Sequence, residues 1–429
     1  MTYEEAVHYI EEAAVYGMQL GLERIQALLK ELGNPQKEYK TIHVTGTNGK
    51  GSVTAMIASV IENSGISVGR YISPHLESYT ERMAVNGSDI SEEDFADAMT
   101  AVRAKAEKII ADGVEPPTAF ELLTAAAFYY FAKKKVEYAV IEVGLGGTLD
   151  STNVITPIVS VITNVTLDHM AQCGETIEEI AACKSGIIKA GVPVVTAAQQ
   201  NALKVIQKEA RAKKAPIYVW GKHFAVSGRH VFDKGQMLNW EFDGKTAMLF
   251  TTLRGIHQAV NAGVAAMAIT CVMKQEKRLT GDHLREGLAR AVWPGRFEVI
   301  PGPVPTVLDG AHNPAGIETF NAAYEETFKG KKRIFVYAAL TDKDVGSIVG
   351  ALFTPEDRVF CVPAPTPRSW DPKKLAKTLP CQAEGCGSVA EGLERAYAEA
   401  KEGDVVCVVG SLYILGEARR WLRGREKLH

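Results

Sequence analysis

Residues 41–64 constrain this chain more than any other stretch. Thr41-Ile-His-Val-Thr45 is a short β-branched run. Gly46-Thr-Asn-Gly-Lys-Gly-Ser52 follows as a glycine-rich turn, and Ser52–Ser64 is rich in Ala, Val, Ile and Met at helical spacing. Strand, tight loop and helix in that order form a phosphate cradle. The glycines let backbone N–H groups turn inward, and the helix N-terminus adds about half a positive charge. Lys50 can reach β and γ phosphates, and the Ser52 hydroxyl can ligate Mg²⁺. The spacing departs from G-x-x-x-x-G-K-[ST]: Gly51 stands between the Lys and the Ser, and the leading glycine is displaced.

The rest of the chain repeats the alternation. Thr2 with Glu5, Thr118 with Glu121 and Thr176 with Glu179 have the spacing of capping boxes and predict helix starts. Helices are predicted at Glu92–Ala111, Ala119–Lys133, Gln258–Val272 and His283–Ala291. Strands are predicted at Ser67–Ser73, Tyr138–Val143, Ile158–Asn164 and Val192–Thr196. Two of those runs are almost wholly apolar, as strands buried on both faces of a parallel sheet are. Residues 217–252 alternate in short pieces and predict antiparallel hairpins appended to the main sheet. Trp293-Pro-Gly-Arg296 interrupts regular structure. Beyond it Thr306–Leu308, Ile334–Ala338, Val359–Val362 and Val405–Val409 read as buried strands. The expected fold is therefore α/β: a doubly wound, mostly parallel N-terminal domain over 1–294 and a smaller α/β domain over 295–429.

Composition removes several alternatives. Forty-eight Lys+Arg against 51 Asp+Glu leave a net charge of −3, which argues against a general nucleic-acid binder. No apolar run reads as long as the roughly 18 residues of a membrane span, the nearest being Leu122–Ala132, and the acidic start Met1-Thr-Tyr-Glu-Glu lacks a signal-peptide pattern. Seven cysteines without CxxC spacing read as free thiols in a reducing cytoplasm.

Polar groups recur at the ends of apolar strands. Val140-Ile-Glu142 delivers a carboxylate before Gly144-Leu-Gly-Gly147-Thr-Leu-Asp150-Ser-Thr-Asn153, and Thr163-Asn-Val-Thr-Leu-Asp168-His169 delivers an acid and an imidazole. Ligands of open α/β sheets bind at that edge. A carboxylate there, near a phosphate loop, suits Mg²⁺. Ser73-Pro-His75-Leu, Lys184–Lys189 and Asp309-Gly-Ala-His312-Asn313-Pro have no meaning of their own that local rules supply.

Taken together, these segments resemble the folylpolyglutamate synthase/dihydrofolate synthase family of the Mur ligase superfamily. Gly46–Ser52, Ser73–Leu76, Thr118–Glu121, Glu142–Asn153, Asp168–His169, Lys184–Lys189, Gly255-Ile-His257-Gln258 with Asn261, Pro294-Gly-Arg296-Phe, Asp309–Pro314 and Gly410-Ser-Leu run in family order over nearly the whole chain. The resemblance implies an N-terminal P-loop ATPase domain, a Rossmann-like C-terminal domain and an active site in the cleft. It implies that ATP phosphorylates a carboxylate and that L-glutamate attacks the acyl phosphate. The acceptor is dihydropteroate, the γ-carboxyl of a folate glutamate tail, or either. Thr47, Asn48, Gly49, Lys50, Gly51 and Ser52 match the ATP loop, while Asn261, Arg296, Asp309 and His312 match nucleotide contacts. Ser52, Ser73, Glu142 and His169 match Mg²⁺ positions, and Lys184 matches a lysine that is carbamylated and helps hold a second Mg²⁺. Thr118, Ala119, Phe120, Glu121, Leu149, Asp150 and Ser151 match the pterin-holding segments. Lys50, Lys184 and His169 are the expected catalytic set. Thr148 stands where the family commonly has Arg, so a cation is missing near the substrate segment. The resemblance suggests a monomer, and composition predicts a cytoplasmic protein that uses neither nucleic acid nor membrane. Two alternatives compete: another Mur-type amide ligase, which would need a nucleotide-sugar domain before the loop, and a P-loop kinase or nucleotide switch.

Overall fold

A computed structural model describes residues 1–17, 19–341 and 344–426. The chain divides into two compact units, Met1–Thr252 with Ala259–Ala291, and Leu253–Gln258 with Val292–His429.

The first unit is built on an eight-stranded sheet. Its strands are β1 (Lys40–Thr45), β2 (Val68–Tyr71), β3 (Met83–Val85), β4 (Ser88–Asp89), β5 (Tyr138–Glu142), β6 (Val159–Ile162), β7 (Val194–Thr196) and β8 (Ile217–Val219). They lie in the order β4-β3-β2-β5-β1-β6-β7-β8. The six strands from β2 to β8 are parallel, while β3 pairs antiparallel with β2 and β4 antiparallel with β3. Every residue of β5 and β6 is buried, which their unbroken apolar runs required. β1 lies between β5 and β6, with Val44 opposite Glu142 and Thr45 opposite Ile162. In a parallel sheet all strand C-termini share one edge, so this order sets four strand ends side by side in the sequence β2, β5, β1, β6.

Helices cover both faces. They are α1 (Tyr3–Ala13), α2 (Glu23–Glu31), α3 (Lys50–Asn63), α4 (Glu92–Ala111), α5 (Ala119–Lys133), α6 (Met170–Cys173), α7 (Ile177–Ser185), α8 (Gln200–Ala212), α9 (Ile256–Met273) and α10 (Gly281–Arg290). The capping boxes at Thr2, Thr118 and Thr176 all form, because each satisfies two orphan N–H groups within four residues of chain. α9 is 18 residues long and apolar enough by length and composition to cross a membrane, which the sequence reading overlooked; 72% of it is buried inside the fold, as a core helix is.

The expected hairpins resolve differently. Ile217–Val219 joins the main sheet as its last strand. β9 (Phe224–Phe232), β10 (Gly235–Phe242) and β11 (Lys245–Thr251) form their own three-stranded antiparallel sheet. The alternating pattern identifies an antiparallel strand but not the sheet it joins, since two-residue periodicity is the same in both.

In the second unit β12 (Glu298–Ile300), β13 (Thr306–Asp309), β14 (Arg333–Tyr337), β15 (Arg358–Cys361), β16 (Gln382–Gly385) and β17 (Val405–Val409) form a six-stranded sheet in the order β12-β13-β17-β14-β15-β16. Only β12 runs antiparallel to its neighbour. The two edge strands β12 and β16 are half-buried or exposed; their weak apolar signal is why the sequence reading passed over them.

Candidate active site

The loop after β1 is held from below by the strand beside it. Thr47 N–H donates to the Asn164 carbonyl (3.0 Å) and Asn48 N–H to Asn164 Oδ1 (2.9 Å). Thr163 Oγ1 donates to the Asn48 carbonyl (2.6 Å), and Thr166 N–H donates to Thr47 Oγ1 (3.0 Å). Residues 163–166, which follow β6, therefore set the curvature of the loop. Gly46 and Gly49 have φ of +150° and +83°. A Cβ on Gly46 would stand 1.8 Å from Thr163 Oγ1, and one on Gly49 would stand 2.6 Å from Asn261 Oδ1. Gly49 caps α3, Lys50 is its first residue, and Ser52 is buried in its first turn. Lys50 Nζ donates to the carbonyls of Gly46 (3.0 Å) and Thr47 (3.1 Å), so the ammonium already lies across the loop.

Gly46→Ala is expected to destabilise the protein by about 2–4 kcal/mol, combining backbone strain with overpacking against Thr163. A urea-unfolding midpoint unchanged from wild type would contradict the tight fit at that position.

On one side of the loop, β5 ends in Glu142, only 4% exposed. Next to β5, β2 leads into Ser73, which is followed by a cis bond to Pro74. On the other side, the chain after β6 reaches Asp168 and His169. His169 has φ +51° and caps α6. Its N–H donates to Asp168 Oδ1 (2.9 Å), and its Nε2 lies 3.9 Å from Asp168 Oδ2. The sheet thus brings the ends of β2, β5, β1 and β6, with Ser73, Glu142, the loop and Asp168–His169, to adjacent positions on one edge.

Lys184 lies in the last turn of α7 and is 3% exposed. Burial, and then the Lys50 ammonium, lower its amine to about 8, against partial compensation from Cys173, Cys183 and Asp168. A buried amine beside a second cation favours losing its proton.

The pterin-matching residues divide. Thr118 and Glu121 hold each other: Thr118 N–H donates to Glu121 Oε2 (2.7 Å), and Arg24 Nε donates to the same oxygen (3.0 Å). Asp150 accepts from Leu145 N–H (2.8 Å) and Thr152 N–H (3.0 Å), so its carboxylate shapes its own loop. Phe120 stacks on Tyr71 with centroids 6.2 Å apart, and its ring blocks any side chain at 144. Ala119 and Phe120 remain half-exposed, Ser151 is buried and Leu149 is exposed.

Beneath this loop lies a contact that no motif announced. His43 Nε2 is 2.8 Å from Thr152 Oγ1, which donates to Asp150 Oδ1. His43 is fully buried, and burial first and Lys189 second push its imidazole down to about 3. The native state holds it neutral while the unfolded chain protonates it near 6.5, so stability is present above pH 6.5 and lost as pH falls towards 3. At pH 5 the loss is roughly 2 kcal/mol. His43→Gln, which offers an amide for hydrogen bonding but does not titrate, should show a smaller fall in urea midpoint between pH 7.5 and 5. Equal falls in both proteins would remove His43 as the cause.

In the second unit Asp309 ends β13. Its carboxylate accepts from the N–H groups of Phe297 (2.7 Å) and Ala311 (2.7 Å), and burial raises its pKa against the pull of Arg296. His312 Nδ1 is 2.7 Å from the Gly310 carbonyl. A Cβ on Gly310 would meet the Arg296 guanidinium at 2.5 Å, so Arg296, Asp309 and His312 gather around one strand end. Asn261, in the first unit, lies on α9 against Gly49.

Both parts of the chain match known proteins. Residues 44–269 match the Mur ligase middle domain, and residues 295–412 match the Mur ligase glutamate ligase domain. The dihydrofolate synthase/folylpolyglutamate synthase of Bacillus subtilis is 34% identical, covering 98% of this chain and 99% of its own length. The folylpolyglutamate synthase of Mycobacterium tuberculosis, solved with ADP and AMPPCP, superposes with a TM-score of 0.90 at 30% identity over 97% of this chain and 98% of that one. Escherichia coli FolC, solved with DHPP and ADP, gives 0.89 at 28% identity, with 99% of each chain covered.

Proposed function

The chain belongs to the folylpolyglutamate synthase/dihydrofolate synthase family of the Mur ligase superfamily, and on that premise we propose that it performs both reactions of the family at the strand-end edge around Lys50. It is an ATP-dependent ligase that adds glutamate to a pterin- or folate-bearing carboxylate. The observation that carries the assignment is the convergence of the phosphate loop, Glu142 and Asp168–His169 on neighbouring strand ends.

The chemistry follows from leaving groups. Hydroxide leaves a carboxylate poorly, whereas phosphate leaves well. The acceptor carboxylate attacks the γ-phosphorus and ADP departs. The glutamate amine then attacks the acyl carbon, and the tetrahedral intermediate expels phosphate to leave the amide. Thr47, Asn48, Gly49, Lys50, Gly51 and Ser52 hold the phosphates and offset charge that builds on them. To Asn261, and to Arg296, Asp309 and His312, we assign contacts with the nucleotide. Ala119, Phe120, Leu149 and Ser151 supply the pterin surface, positioned by Thr118, Glu121 and Asp150.

Donors at this edge suit a hard divalent cation: the buried Glu142 carboxylate, the Ser52 and Ser73 hydroxyls and the His169 imidazole. Lys184 joins them if its amine is carbamylated. Mg²⁺ held there supplies charge neutralisation and polarises phosphoryl oxygen. We further propose a cytoplasmic monomer.

The test offers dihydropteroate and tetrahydrofolate separately, each with ATP, Mg²⁺ and L-glutamate, and weighs the products. Both should gain one glutamyl residue. Phosphate transferred to a stable acceptor, with no amide from either substrate, would favour the kinase reading; a product from only one would reduce the proposal to a single activity.

A further inference from the structure

Cys173 closes α6 and Cys183 lies within α7, ten residues on, and their sulfurs are 3.3 Å apart. Cys173 is 7% exposed; Cys183 is half-buried and so the more accessible of the two. A disulfide needs the sulfurs roughly 1.3 Å closer. The pair rests on Gly146, where a Cβ would stand 2.6 Å from one sulfur and 2.9 Å from the other. Both neighbours of the pair belong to the reactive edge. His169 caps the helix that Cys173 ends, Lys184 follows Cys183, and the Cys183 carbonyl accepts from Thr148 N–H and Oγ1, both at 2.9 Å.

We propose that Cys173 and Cys183 form a reversible disulfide, a modification site that ties α6 to α7 and lowers turnover when a peroxide is present. Cys183 sulfur attacks one peroxide oxygen; the O–O bond breaks, water leaves, and Cys183 carries a sulfenic acid. Cys173 sulfur then attacks that sulfur; the S–O bond breaks and a second water departs, taking the remaining thiol proton. Two thiols are oxidised and one peroxide is reduced to two waters. A thiol reductant reverses the bond by exchange. The bond itself is independent of the ligase reading, whereas its effect on turnover rests on that reading, through the positions of His169 and Lys184.

The whole protein is treated with hydrogen peroxide, its remaining thiols are blocked, and it is cut at glutamates, which separates the two cysteines. Mass spectrometry should find their fragments joined with the loss of two hydrogens. Glutamate-dependent turnover should fall at least tenfold and return with dithiothreitol, while Cys183→Ser and Cys173→Ser should keep their activity in peroxide. Absence of the joined fragment would overturn the proposal. So would a joined fragment with unchanged turnover, or inactivation of both variants as fast as the wild type. The joined fragment is read by mass in the wild-type protein, so it stands even if a variant fails to fold or the ligase assignment is wrong.

Discussion

Lys50→Ala is expected to reduce glutamate-dependent phosphate release on the order of 10³-fold. In the fold the ammonium lies over the loop, bonded to the carbonyls of Gly46 and Thr47. It is thus pre-positioned where phosphate oxygens would gather charge, and removing one such donor from a pre-organised site commonly costs 10²–10³ in rate. Lys50 also organises the loop, so the alanine variant loses two hydrogen bonds, each worth about 1 kcal/mol. Lys50→Met, which keeps the length of the side chain but donates no hydrogen bond, should be as slow as the alanine variant. Both variants should show normal far-UV circular dichroism and cooperative urea unfolding, with stability lowered by about the 2 kcal/mol of those two bonds, because the brace from Thr163, Asn164 and Thr166 remains. Near-normal turnover in a folded Lys50→Ala protein would sink the phosphate-loop assignment.

Lys184→Ala should lose at least 10²-fold of turnover, and short carboxylic acids such as formate or acetate should restore part of it. CO₂ adds only to an uncharged amine. Burial and the Lys50 ammonium both disfavour the charge on Lys184, which makes its amine far more available than an exposed lysine's. A carbamate on Lys184 would be an anion, so its loss should be repaired by an added anion and not by a cation. Lys184→Arg should therefore stay as inactive as the alanine variant. Intact-mass spectra of the wild type under bicarbonate should show an adduct that acid removes and that is absent from both variants. An active Lys184→Arg enzyme would show instead that the site uses a positive charge.

How much of this was legible beforehand follows from the range of each interaction. Capping boxes at Thr2, Thr118 and Thr176, the helix of α5 and the strand–loop–helix around Lys50 depend on groups within a few residues of each other. Their free energy is local, and the sequence by itself determined them. The buried strands β5, β6 and β17 were equally plain, since only a strand covered on both faces tolerates such runs. Strand order was another matter. That β1 lies between β5 and β6 depends on summed burial over more than a hundred residues of chain, and no single spacing records it. Through that order, the strand ends that lead to Ser73, Glu142 and His169 come to the same sheet edge as the loop of Lys50. The same holds for Thr163 and Asn164 under the loop, for His43 beneath Asp150, and for the sulfurs of Cys173 and Cys183. These are contacts between segments whose residue types carry no shared motif. The sequence determined which elements form and which residues can do chemistry; the tertiary structure alone decided which of them meet, because packing and register join positions far apart in the chain.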